Sequence, residues 1–215
     1  AAAPMLTKKF VDEDFVMQKV LTGQPEIETR WKRCVVATDG ALGELLGQAF
    51  VKRKFAGDSK PAAENMVAEI AKAFSANVKG LAWMDASTRD KALGKLTQMS
   101  FKIGYPAKWR EYPFAVDGKS FFDNATASAA FEIRRDLGKI GKPVDRGEWF
   151  MSPPTVNAYY NPLLNEMVFP AGILQPPFYS HQAGVAVNMG AMGMVVGHEL
   201  THGFDDQGRK FDAQG

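Results

Sequence analysis

The stretch Asn188-Met189-Gly190-Ala191-Met192-Gly193-Met194-Val195-Val196-Gly197-His198-Glu199-Leu200-Thr201-His202 holds the densest chemistry of the chain. Its first ten residues are apolar apart from Asn188, lack proline and are long enough for a buried helix. On a helix, residues four apart share a face, so His198 and His202 can present imidazole nitrogens to one metal ion. The spacing is the H-E-x-x-H pattern of zinc hydrolases. Zinc accepts nitrogen ligands tetrahedrally, and a catalytic site keeps one position for water. Glu199 is placed to take a proton from that water. The competing reading is a pair of core histidines satisfied by hydrogen bonds. Only three histidines occur in the chain, two of them here, and two imidazoles and a carboxylate ending an apolar helix are costly to bury without partners. The metal reading is therefore the favoured one.

Working outward, the spacing excludes one group of zinc proteases. In H-E-x-x-H-x-x-G-x-x-H the third ligand is a histidine six residues after the second; here Gly208 stands there, and Asp205 stands where the glycine belongs. A third ligand, most simply a glutamate on a later helix, must come from elsewhere, and the 13 residues after His202 contain no glutamate. Asp205 and Asp206 lie three and four positions beyond His202, so either can accept the second imidazole N–H. Local bonds at a helix end are the alternative for both. His181 reads as a loop histidine, and Met189, Met192 and Met194 as packing.

Upstream, two β-prone runs, Thr155–Tyr160 and Glu166–Pro170, are joined through Asn161-Pro162 and read as a hairpin. Pro170–Tyr179 is an irregular loop leading to the metal helix. The first hundred residues read as helices at Phe10–Leu21, Ile27–Ala37, Ala41–Phe55, Ala62–Val78 and Ser87–Met99, with breaks at Gly23, Asp39-Gly40, Ser59-Lys60-Pro61 and Gly80. Ser87-Thr88-Arg89-Asp90 resembles a capping box. Phe101–Tyr105 reads as a short strand, and Ser120–Leu137 as a helix closed by Gly138. The expected fold class is α+β, mainly α: a helical first half, then a thermolysin-like β-hairpin and a zinc-binding helix, truncated before the third-ligand helix. The expected division is a mostly helical segment at 1–105 and a partial catalytic domain at 106–215.

Composition bounds the partners. The chain has 215 residues, 46% hydrophobic and 23% charged, with a net charge of +2. That is an ordinary globular balance, too mild and too scattered to argue for nucleic acid. No uninterrupted apolar run reaches the roughly 18 residues of a membrane span, so no membrane contact is evident in this segment. No leader is visible after Ala1, and the single cysteine, Cys34, cannot close an internal disulfide.

Three longer runs carry a resemblance: Val156–Tyr160, Val168–Tyr179 and Val196–Arg209. They resemble the neprilysin family of zinc metallopeptidases, the M13 peptidases, including the bacterial oligopeptidase O type. Arg30–Cys34, Trp83–Asp85 and Ile103–Pro106 fit the same family. The resemblance implies that His198 and His202 are zinc ligands, that Glu199 is the general base, and that Asn157 and Ala158 lie along the substrate backbone. An asparagine amide can donate to and accept from a peptide bond, and an extended peptide can add to a strand edge. It further implies one Zn2+ per complete site with a third ligand, a glutamate, outside this chain. The partners are then an oligopeptide substrate and the missing N- and C-terminal parts of a parent enzyme. The compartment implied is extracytoplasmic, periplasmic or secreted. The chain is thus expected to be an internal section of a zinc metalloendopeptidase, weakly active or inactive by itself. A non-catalytic peptide-binding fragment or interaction module is the alternative.

Overall fold

The computed structural model of the chain describes residues 2–55 and 57–215. In chain order the elements are α1 (Lys8–Thr22), α2 (Arg30–Lys54), α3 (Ser59–Gly80), α4 (Ala86–Gln98), β1 (Ser100–Gly104), α5 (Phe121–Leu137), β2 (Tyr159–Asn161), β3 (Glu166–Pro170) and α6 (Val185–His202). Single 3-10 turns lie at Ala3–Met5 and Gly208–Lys210. The class is α+β and mainly α, as the periodicity of the sequence indicates.

Local chemistry sets the helix ends. Gly23 closes α1 in the left-handed region at φ 72°, its N–H bonded to the Lys19 carbonyl. The break expected at Asp39-Gly40 falls two residues later, at Leu42, whose φ −137° and ψ 32° leave helical geometry and kink α2 into two helical stretches. Asp85, not Ser87, caps α4, accepting from the Thr88 N–H at 2.9 Å and the Thr88 hydroxyl at 2.7 Å. Ser120 caps α5 by accepting from the Asp123 N–H at 3.2 Å.

The described residues form two compact units. The first holds residues up to Leu45 and Arg110–Val144; the second holds Leu46–Trp109 and Asp145–Gly215. They cut the chain differently from a boundary at 105/106, because β1 pairs with β3 and the α5 region clusters with the N-terminal helices. In the first unit, Glu44 accepts from the Arg110 backbone N–H at 2.7 Å, and the Arg110 guanidinium reaches Glu132 at 2.9 Å. Among the described helices, α2 is the one long and apolar enough to cross a bilayer.

The second unit carries α6, the helix that ends in His198 and His202. Its sheet has the order β1-β3-β2, with β1 parallel to β3 and β2 antiparallel to it. All five residues of β3 are buried, as a central strand covered on both faces requires. Glu166 can be buried there because Lys102 meets it at 2.7 Å. Met167 and Phe169 pack with Val67 of α3 and with Met192, Val196 and Leu200 of α6. Each such side chain contributes about 1.5–3 kcal/mol on burial, which fixes α6 against the sheet. Asn165 completes the turn between β2 and β3 at φ 48°, the one non-glycine residue in the left-handed region among those described. It is fully buried; its Nδ2 donates to the carbonyls of Lys95 (2.9 Å) and Ala213 (3.1 Å), and its Oδ1 accepts from the Tyr160 hydroxyl at 3.0 Å.

Candidate metal centre

Helix α6 ends in the two histidines, and its geometry brings their rings together. The Nε2 atoms of His198 and His202 lie 3.0 Å apart, with ring centroids at 4.5 Å and planes at 80°. The spacing of one helical turn does this without any distortion of the backbone. His202 Nδ1 lies 2.8 Å from Asp205 Oδ2. The other carboxylate oxygen of Asp205 accepts from the backbone N–H groups of Gly208 (2.8 Å) and Gln207 (2.9 Å). The Gly208 N–H, then His202 and the Gln207 N–H, hold the Asp205 carboxyl down at about 2. It is a fixed anion at neutral pH. Of the two candidate aspartates, then, Asp205 is the one against the imidazole; Asp206 accepts from the Gln207 side-chain amide at 2.7 Å.

Glu199 lies between the histidines in sequence and is 6% exposed. Burial pushes its carboxyl up, opposed by His198, His202 and the backbone N–H of Tyr160 on β2. A carboxylate raised by its surroundings and flanked by imidazoles is better able to hold a proton in passage than a solvated one.

The nitrogen pair suits a divalent metal. If Asp205 takes the Nδ1–H of neutral His202, the Nε2 of that ring carries a lone pair directed at His198 Nε2. Two such lone pairs at 3.0 Å repel unless a proton or a cation lies between them. Zinc with N–Zn bonds of 2.0–2.1 Å and tetrahedral angles separates its ligand nitrogens by about 3.3 Å, a few tenths from the separation here. Among the described residues no third His, Cys, Asp or Glu joins the pair to form a three-ligand group. The histidine pair therefore fits two positions of a zinc site.

The remaining sequence-derived candidates lie close to β2. Asn157 is exposed just before the strand, and its Oδ1 accepts from the Ala158 N–H at 2.9 Å; Ala158 is buried. β2 is an edge strand, paired among the described strands with β3. His181 stands apart from the pair, its Nδ1 3.3 Å from the Ser59 hydroxyl. Sequence reasoning passed over Tyr160, Asn165 and Lys95. For Asn165 a signal existed, an asparagine immediately before a strand, where it serves as a left-handed turn residue.

Several known proteins are similar to this chain. Two models of the family described as Peptidase family M13 match the chain, over residues 1–106 and 157–215. The endothelin-converting enzyme homolog of Locusta migratoria is 43% identical over 98% of this chain and 30% of its own length. Neprilysin-3 of Drosophila melanogaster is 43% identical over 98% of this chain and 28% of its own. Among solved structures, the inhibitor complex of Mycobacterium tuberculosis zinc metalloprotease Zmp1 superposes with a TM-score of 0.92 at 45% identity, covering 100% of this chain and 32% of that one. PepO from Lactobacillus rhamnosis HN001 gives 0.91 at 31% identity, covering 99% of this chain and 34% of that one. The chain thus spans about 30% of the length of the curated relatives it matches.

Proposed function

The chain belongs to peptidase family M13, and from that premise we propose that it carries the zinc-binding helix and general base of a longer zinc metalloendopeptidase that cuts oligopeptides. The observation that supports this most is the 3.0 Å approach of the His198 and His202 Nε2 atoms beside a buried Glu199. In this reading a bound zinc ion supplies a water of lowered pKa and a Lewis acid for the scissile carbonyl. His198 and His202 would hold the ion, their Nε2 atoms already facing each other at 3.0 Å. Asp205 orients His202 and, as a fixed anion, raises the basicity of its imidazole. Glu199 accepts the proton of the attacking water on its carboxylate and returns it to the departing amide nitrogen. Its raised affinity for a proton suits both halves of that transfer.

The substrate lies extended along the open edge of β2, with Asn157 and Ala158 facing its peptide groups. The N–H of Ala158 is occupied by Asn157 Oδ1, so the groups offered to a peptide are the remaining Asn157 amide and the backbone carbonyls. The third ligand and the rest of the peptide-binding cleft come from other segments of the longer protein, for which the family resemblance implies an extracytoplasmic compartment.

The test is the longer protein with Glu199→Gln. Removing the base while keeping its shape is expected to lower turnover of a fluorogenic oligopeptide by about 10²–10⁴-fold and to leave zinc content unchanged. Turnover within a few fold of the unaltered enzyme would overturn the assignment of Glu199.

A further inference from the structure

Lys95, in the last turn of α4, is 6% exposed. A buried ammonium is unfavourable unless its partners replace water. Here Nζ donates to the carbonyls of Gly208 at 2.7 Å and Phe211 at 2.9 Å, and stands 5.9 Å from the ring centroids of both Tyr160 and Phe204. Burial pushes its pKa down, opposed by Asp212 and Asp205.

Both carbonyls belong to the turn that follows α6. Gly208 is gripped from two sides: its carbonyl by Lys95, and its N–H by Asp205 Oδ1 at 2.8 Å. A Cβ at Gly208 would collide with the His202 carbonyl oxygen, so this turn is pressed directly against the end of the helix. Asp205 Oδ2 in turn lies 2.8 Å from His202 Nδ1. The chain of contacts therefore runs from the Lys95 ammonium through Gly208 and Asp205 to His202. On its other side, the Lys95 carbonyl accepts from Asn165 at 2.9 Å, tying the lysine to the β2–β3 turn. Charge-assisted bonds of this kind are roughly twice as strong as neutral ones, which suits a lysine to fixing a short irregular turn.

We propose that Lys95 is a positioning residue for His202: it fixes the Gly208–Phe211 turn, the turn fixes Asp205, and Asp205 keeps His202 in the Nδ1–H tautomer that leaves Nε2 open to a metal ion. This deepens the metal-binding reading of the site, although the tautomer is set whether or not an ion arrives. A lysine of purely structural value would change stability and leave the tautomer alone.

The test uses the longer protein with nitrogen-15-labelled histidine, His198 and His202 being assigned from His198→Gln and His202→Gln variants. Long-range proton–nitrogen correlation spectra of the imidazoles report the tautomer of each ring, first alone and then with zinc ion added. In the unaltered protein His202 is expected in the Nδ1–H form. In Lys95→Met it is expected to become a mixture of tautomers, with zinc affinity about tenfold weaker. Lys95→Arg, which keeps the charge and the donors, is expected to restore both. A Lys95→Met protein that keeps the Nδ1–H form, with zinc affinity within about twofold of the original, overturns the proposal. If Lys95→Met does not fold, Lys95→Gln is read by the same two outcomes; if neither folds, Lys95 belongs to the core and the proposal also falls. Should zinc disturb neither His198 nor His202 in the unaltered protein, the metal reading fails, while the tautomer comparison still decides the role of Lys95.

Discussion

Asp205 Oδ2 lies 2.8 Å from His202 Nδ1 while its other oxygen accepts two backbone N–H groups, so the aspartate is held by the chain before it holds the imidazole. A carboxylate fixed in this way orients the ring without freezing a free side chain at the moment of metal binding.

Asp205→Ala is accordingly expected to weaken zinc binding about 10–100-fold, whereas Asp206→Ala changes it by less than about twofold. Competition with a chromophoric chelator measures both. Equal losses at the two positions would show that net negative charge near the helix end matters, and not the bond to His202.

Asn165 combines a left-handed backbone with three side-chain hydrogen bonds in a fully buried turn. Asn165→Ala leaves the Lys95 and Ala213 carbonyls and the Tyr160 hydroxyl short of a partner, and is expected to destabilise the fold by about 3 kcal/mol. Asn165→Gly loses the same bonds but relieves the backbone, so it should be less damaging than Asn165→Ala by about 1 kcal/mol. Denaturant midpoints at constant slope give both values.

The tyrosines set an alkaline limit. Burial, and then acidic neighbours, raise Tyr159 and Tyr160 to about 12 in the folded chain. Unfolded tyrosine ionises near 10. A folded value above the unfolded one means that the stabilisation is complete below pH ~10 and is lost as pH rises toward about 12. Denaturation midpoints from pH 8 upward are expected to stay level and then fall through that window, and the ultraviolet signal of tyrosinate should report at least two late-ionising groups. A midpoint that falls well before pH 10 would indicate that another group governs the loss.

Much of this architecture was legible in the sequence because its signals are local. The apolar run ending in His198 and His202 indicates a helix, although only the face with Met192, Val196 and Leu200 is buried and Val185, Val187 and Met194 are exposed; the two β-prone runs beside Asn161-Pro162 indicate a hairpin. What escaped depended on partners distant in sequence. β1 is five residues long, and nothing in Ser100–Gly104 says that it lies parallel to β3 some sixty positions later. The α4 cap is Asp85 and not Ser87 two residues later; the two offer similar chemistry, and only the bond to Thr88 distinguishes them. Asp205 and Asp206 are likewise equivalent in spacing until the turn at Gly208 selects one. Lys95 has no sequence signature, since a lysine on an amphipathic helix reads as a solvated one.

The most direct measurement is an anomalous-scattering map, at the zinc absorption edge, of crystals of the longer zinc-loaded protein. The account expects one peak about 2.0–2.1 Å from the Nε2 atoms of both His198 and His202, with Asp205 still bonded to the Nδ1 of His202. A map with no peak between the two rings, or with the rings turned apart and each hydrogen-bonded elsewhere, would contradict it.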